Sequence, residues 1–336
     1  MNGKNVLITG GAGFVGSHLA DLLLQRGDVV QVLDNLDTGS IENIAHLRAH
    51  PRFSYFEGSI LDRTAMEGLV QEADVIYHLA ASVGVQLVLE KPIHAIKTNI
   101  EGTLLVLDLV AREGKKILIT STSEVYGKLN KELYSENDDT VLGPTSMARW
   151  SYGASKMVDE FLALGYFTQL GLPVVIVRLF NIIGTRQTGA YGMVVPRLIR
   201  QALSGEPLTV YGDGSQRRSF TSVGDAVNAL ATLMEHPQAS GQVYNIGHHE
   251  DISILELAVM VQELTNSASE IRLVPYEQAY RQGFEDVVQR KPDISKIQRL
   301  IGYEPQLGLQ DILKQIIIYE SQKPFNAVRP SADPEA

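Results

Sequence analysis

Along the first half of the chain, short apolar runs alternate with longer stretches of helical spacing. Val6 to Thr9, Val29 to Leu33, Phe53 to Glu57, Val75 to Leu79 and Lys116 to Thr120 read as strands. Between them, Phe14 to Arg26, Asp62 to Glu72 and Ile93 to Glu113 place apolar side chains on one face of a helix. A further helix over Tyr152 to Leu170 leads into a buried strand over Val174 to Arg178. Alternation of this kind predicts an α/β fold with a doubly wound parallel sheet.

Past Phe180 the pattern changes. Gly, Pro and Tyr become frequent, and the helices over Pro196 to Ser204 and Ile254 to Leu264 are separated by long loops. This part reads as a smaller, interleaved C-terminal domain. Val243-Tyr244-Asn245-Ile246-Gly247 has the look of a strand returning to the main sheet or its edge. The expected division is a main domain over 1–180 with a returning segment near 220–250, then a second domain over 181–321. From about Gln322, Pro324, Pro330 and Pro334 with small polar neighbours suggest a disordered tail over 322–336.

Composition narrows the function classes. The chain has 336 residues, enough for one large domain or two intimate ones. It has no cysteine, which excludes disulfides, thiolate metal sites and cysteine nucleophiles and fits a reducing, cytoplasmic setting. A net charge of −10 argues against a general nucleic-acid binder. It leaves room for a few arginines around an anionic ligand. No apolar run approaches the roughly 18 residues of a membrane span. The N-terminus passes directly into the first strand, unlike a signal peptide. His248-His249-Glu250 is no metal motif, since adjacent histidines diverge on most backbones, and no metal is expected.

Gly10, Gly13 and Gly16 follow the first strand and open the first helix, in the spacing GxxGxxG. Such glycines tighten the turn, let a pyrophosphate approach the backbone and let helix pack on strand. The amides and dipole of the helix N-terminus then favour phosphate charge. Asp34, at the end of the second strand, can accept hydrogen bonds from a ribose and repel a 2′-phosphate. No arginine follows directly in Asn35-Leu36-Asp37, so NAD is expected over NADP. A strand-end turn is the plainer reading of Asp34.

Tyr152 and Lys156 form Tyr-x-x-x-Lys, which places both on one helix face. An ammonium near a phenol lowers its pKa, and a positive nicotinamide adds to this. A tyrosine so tuned takes a proton from a sugar hydroxyl as hydride leaves the same carbon. Ser121-Thr122-Ser123-Glu124 follows an apolar strand, at the end that faces the ligand crevice in open α/β sheets. The Thr122 hydroxyl can share the substrate proton with Tyr152. A helix surface pair and a polar strand cap are the bland alternatives.

Taken together and in order, Gly10-x-x-Gly13-x-x-Gly16, Asp34, His78-Leu79-Ala80-Ala81, Thr122, and Tyr152 with Lys156 resemble the extended short-chain dehydrogenase/reductases. These are the nucleotide-sugar epimerases, dehydratases and decarboxylases. The resemblance spans about residues 4 to 320. It implies a Rossmann domain with a C-terminal substrate domain, tightly bound NAD, and a homodimer formed through a four-helix bundle. It implies cofactor contacts from Phe14, Val15, Asn35, Ser59, Ile60, Leu79, Ala80, Ala81 and Asn99 beside the glycines and Asp34. Ser59 departs from the aspartate that relatives commonly place beside the adenine.

The shared family logic is transient oxidation to a 4-keto sugar, followed by inversion, loss of water or loss of CO2. The 4,6-dehydratases carry Asp-Glu after the threonine. Here Ser123-Glu124 lacks that acid, which argues against dehydration. Thr-Ser-Glu resembles the UDP-glucuronate decarboxylases, as do Gly143-Pro144, Arg149-Trp150-x-Tyr152 and Gly283 to Pro292. Decarboxylation of UDP-glucuronate leads, with 4-epimerisation the alternative. Glu124 beside a uronate also brings repulsion, unless it is protonated or turned away. Asn181 matches a substrate-contacting asparagine of the family. Arg218 and Arg290 resemble the arginines that clamp a diphosphate, and Arg218 could instead meet a carboxylate. Arg217 reads as a surface ion pair. Tyr211 is placed to stack on a base, with core packing an equal reading. Arg186 to Gly192 reads as a mobile loop beside the sugar. A non-catalytic NAD sensor on the same fold is the rival class, and such proteins tend to lose the tyrosine and lysine kept here.

Overall fold

The computed structural model describes residues 3–84, 88, 90–189, 193–279, 287 and 289–323. The first half forms β1 (Asn5–Thr9), α1 (Phe14–Gln25), β2 (Val29–Asp34), β3 (Phe53–Glu57), α2 (Arg63–Glu72) and β4 (Val75–His78). It continues through α3 (Pro92–Arg112), β5 (Lys116–Thr122), α4 (Trp150–Leu170) and β6 (Val174–Leu179). With a later strand, Gln242–Ile246, the six make a seven-stranded sheet. Its order is Gln242–Ile246, β6, β5, β4, β1, β2, β3, and every pairing is parallel.

Strand alternation explains the layers. Val6 and Ile8 of β1 point into one core with Leu19, Leu23 and Leu230. Leu7 points the other way, into a second core with Val106, Leu107 and Ala163. Each β-strand therefore feeds helices on both faces, as a doubly wound sheet requires. The chain leaves β1 towards β2 on one side and reaches β4 on the other. This reversal opens a crevice beyond the strand C-terminal ends.

Several boundaries move from the sequence expectation. β5 runs on through Thr122 because backbone pairing continues as Ser121↔Arg178 and Thr122↔Leu179. Asp62 is the N-cap of α2, its carboxylate accepting from the Thr64 and Ala65 amides. α4 begins at Trp150, two residues before the expected start at Tyr152.

The smaller unit packs the helices Val194–Ser204, Ile254–Thr265 and Leu309–Ser321 around Leu198, Leu208, Leu257 and Ile312. A capping box joins Ser253 and Glu256 at the start of the middle helix. In a three-stranded sheet, Arg217–Arg218 lies between Ile252–Ser253 and Gln289–Arg290. Its parallel register sets Arg290 opposite Arg218. The expected tail beyond 323, and residues 283–286 and 288 of the Gly283–Pro292 motif, lie outside the described residues. Among the described residues, no helix is long and apolar enough to cross a membrane.

Candidate active site

The glycine turn joins β1 to α1 under tight constraint. Gly10 has φ +74° and a Cβ there would lie 2.7 Å from the Ala80 amide nitrogen. A Cβ on Gly16 would lie 2.3 Å from the Gly10 carbonyl oxygen. Gly13 is the N-cap of α1 and offers no capping side chain, so the first amides of the helix face the crevice. Gly10, Gly13, Phe14 and Val15 line one wall of a cavity there. Asp34, Asn35, Ser59 and Ile60 line its far end, and Leu79, Ala80 and Ala81 a second wall.

Asp34 is buried and its carboxylate accepts from the Ala12 amide at 3.0 Å and the Leu36 amide at 2.8 Å. Desolvation pushes its pKa up, against those backbone hydrogen bonds. Each oxygen keeps a lone pair for a ribose hydroxyl. Asp37 lines the same end, so a 2′-phosphate would meet two carboxylates. Amides at one end and carboxylates at the other fit an NAD-type dinucleotide without a 2′-phosphate. Asn99 stands behind this wall, accepting from the Ser82 amide and donating to Ser155. It is not among the lining residues.

Thr122 and Tyr152 line the inner end of the same cavity. The Thr122 hydroxyl accepts from the Glu124 amide at 3.2 Å, which leaves its proton to donate. Tyr152 has its pKa raised by desolvation, then by Glu124 and Asp159. This is opposite to the lowering expected from the motif. Burial outweighs the lysine expected to lower it, and the Lys156 ammonium donates instead to Asp159 at 2.8 Å. Both partners are buried.

Beyond Thr122 lies a cluster of charge. The Glu124 carboxylate accepts from Arg290 at 2.7 Å, and Arg149 lies 3.8 Å away. Ser123 is buried beside it, its Oγ 3.4 Å from Arg290 Nη1. Burial pushes Glu124 up, but Arg290, Arg149 and Arg218 outweigh this and hold it at about 2. The glutamate is therefore neither protonated nor turned away; it is ionised and paired. Arg218 donates to the Arg217 carbonyl, and Arg217 pairs with Asp251 and Glu256.

Other expected residues lie elsewhere. Asn181 adopts φ +38° and donates to the Ser219 carbonyl. The Tyr211 ring is covered by the Arg197 guanidinium at 3.8 Å. Neither lines the dinucleotide cavity. Of the Arg186–Gly192 loop, Gln187 and Thr188 line the cavity, Arg186 pairs with Asp21, and 190–192 lie outside the described residues. The His248 and His249 rings do not diverge; they stack with centroids 4.5 Å apart. Among the described residues, no group of three or more His, Cys, Asp or Glu could hold a metal ion.

Two residues of the site carry no clear role in the sequence alone. Arg149 precedes the Tyr-x-x-x-Lys helix, and only the resemblance of Arg149-Trp150-x-Tyr152 to the decarboxylases points to it. Asp159 continues the face of Tyr152 and Lys156, and that spacing is the signal that could have found it.

The chain matches the family described as GDP-mannose 4,6 dehydratase over residues 7–316. It is 45% identical to a UDP-N-acetyl-alpha-D-glucosaminuronate decarboxylase of Bacillus cytotoxicus, over 94% of this chain and 97% of that protein. It is 40% identical to UDP-glucuronic acid decarboxylase 1 of Danio rerio, over 95% of this chain and 73% of that one. A UDP-glucuronic acid 4-epimerase from Bacillus cereus, solved with UDP-glucuronic acid and NAD, superposes with a TM-score of 0.86. That match has 31% identity and covers 95% of this chain and 99% of the other. The chain belongs to this nucleotide-sugar family, within the extended short-chain dehydrogenase/reductases.

Proposed function

We propose that the protein is an NAD-dependent decarboxylase of a UDP-hexuronate, working through a 4-keto sugar. The observation that carries this reading is the Arg149–Arg218–Arg290 cluster around Glu124, beside Thr122 and Tyr152. Guanidinium groups gathered beside Thr122 and Tyr152 suit an anionic nucleotide-sugar through charge-assisted hydrogen bonds, and the repulsion between Glu124 and a uronate carboxylate is offset by the pairing of Glu124 with Arg290.

In this reading residues 1–180, with the returning strand, hold the cofactor and residues 181–321 mainly the nucleotide-sugar. Gly10, Gly13, Phe14, Val15, Asp34, Asn35, Ser59, Ile60 and Leu79 to Ala81 form the NAD site. NAD supplies reversible hydride acceptance at the sugar C4. Tyr152 takes the O4 proton, with Thr122 hydrogen-bonded to the same oxygen. The resulting C4 ketone makes the C6 carboxylate that of a β-keto acid. Its C5–C6 bond breaks, CO2 leaves and the electron pair delocalises into the C4 carbonyl. C5 then takes a proton from water, and Tyr152 returns its own to O4 as C4 is reduced. Ser123 carries no acid to expel a hydroxyl, which disfavours dehydration.

The relatives' names differ in the C2 substituent, so the test uses both UDP-glucuronate and UDP-N-acetylglucosaminuronate. Mass spectrometry should show loss of one CO2 from at least one of them, with Tyr152→Phe inactive. An unchanged mass with a new NMR spectrum would instead establish the 4-epimerase, the activity named for the Bacillus cereus neighbour. The homodimer is likewise proposed, supported by exposed Ile93, Ile96 and Leu104 on α3 and Phe161 on α4, two helices that pack together.

A further inference from the structure

A chain of buried polar side chains runs behind the proposed catalytic pair. Lys156 donates to Asp159, and Thr103 of α3 faces the same carboxylate. The Thr103 hydroxyl lies 3.1 Å from His78 Nε2, and His78 Nδ1 lies 2.7 Å from the Thr9 hydroxyl. Thr9 accepts in turn from the Ala80 amide, which borders the NAD cavity. Asp159 is the only carboxylate hydrogen-bonded to Lys156 among the described residues. The neighbouring Glu160 is bound by Arg178 and Ser121, so it does not compete.

We propose that Asp159 is a positioning residue that governs how much of the Lys156 charge reaches Tyr152. The inference rests on the assignment of Tyr152 and Lys156 under the proposed function. Lys156 lies one turn from Tyr152, and Asp159 nearly one turn further along the same face. An ammonium held on Asp159 is neutralised where it stands, and the carboxylate itself opposes ionisation of the phenol. A buried ion pair of this kind contributes little to stability over an apolar pair, so stability alone does not account for it.

The charged groups around this point are few. On α4 they are Lys156, Tyr152 and Glu160; Glu124 faces Tyr152 from the loop after β5. His78 of β4 is held neutral by desolvation and then by Lys156, its pKa pulled down to about 3. Removing the Asp159 charge therefore leaves the Lys156 ammonium without that carboxylate, one turn from Tyr152 on the same helix. The Tyr152 phenol should then lose its proton at lower pH.

The test measures proton release on NAD binding, by calorimetry in buffers of different ionisation enthalpy, across pH. It needs no turnover. Tyr152→Phe should abolish the release that titrates with Tyr152. In Asp159→Asn its midpoint should move down by about one pH unit. The acid limb of kcat/KM should move down with it, while Asp159→Glu stays near the wild type. Should the amide not be tolerated, Asp159→Ala carries the same readout. A midpoint unmoved in a folded Asp159 variant, with only Tm lowered, would overturn the inference. No release dependent on Tyr152 in the wild type would overturn the inference and the Tyr152 assignment together. Release present but no turnover of either uronate would sink the proposed reaction alone.

Discussion

At the residue scale, Glu124 shows how pairing resolves an apparent conflict. A carboxylate next to a site for another carboxylate looks misplaced until Arg290, 2.7 Å away, is counted. Its pKa is depressed to about 2 from the ordinary 4.5, so its stabilising contribution is present above about pH 4.5 and fades as pH falls towards 2. At about 1.4 kcal/mol per unit, the contribution is on the order of 3 kcal/mol at most. Glu124→Gln should therefore lower Tm most above pH 4.5, and the gap to the wild type should close on acidification. Scanning calorimetry from about pH 6 to about pH 3 reads this directly. A gap that stays constant would mean that the pairing contributes no linked stability. The residues Ser123-Glu124 and Arg290 were visible in the sequence, but their pairing was not. They lie far apart in the chain, and long-range pairing joins them: Tyr134, in the segment after β5, bridges to Pro292 and its amide donates to the Lys291 carbonyl.

At the element scale, the glycine turn was legible because its chemistry is local. Strand, three spaced glycines and helix are contiguous, and steric demand alone ties them together. Gly16→Ala should push α1 away from the Gly10 carbonyl, costing about 1–3 kcal/mol. It should also weaken NAD binding at least about tenfold, because the α1 amides move with the helix. At Gly68, inside α2, a Cβ would meet no atom within 4 Å, so Gly68→Ala should stabilise by about 0.5–1 kcal/mol. If the turn is the constraint, thermal melts of the two variants move in opposite directions and NAD titrations weaken for Gly16→Ala alone. The main sheet was equally readable from its apolar runs. What was not readable was rotamer choice: Tyr152 and Lys156 share a face as the spacing requires, yet Lys156 turns to Asp159. Spacing gives proximity, whereas the partner depends on which buried charge lies closest. Tyr211 is similar, since its ring is covered by Arg197 from a helix the local sequence does not link to it.

At the scale of the whole molecule, the two longest described helices, α3 and α4, lie side by side over one face of the sheet. Single exposed apolar residues are ordinary, but a contiguous set marks an interaction surface. Ile93, Ile96 and Leu104 recur at helical spacing along α3, with Ile93 73% exposed, and Phe161 on α4 is 67% exposed. A second copy would bury both helices in a four-helix bundle and obey two-fold symmetry. Phe161→Glu should place a charge in that seam and convert a dimer to a monomer in sedimentation velocity. Because α4 also carries Tyr152, Lys156 and Asp159, loss of the partner should reduce kcat more than it raises KM. A wild type that sediments as a monomer at micromolar concentration would remove the argument. A Phe161→Glu variant that stays dimeric would instead move the interface to another face and detach assembly from the catalytic helix.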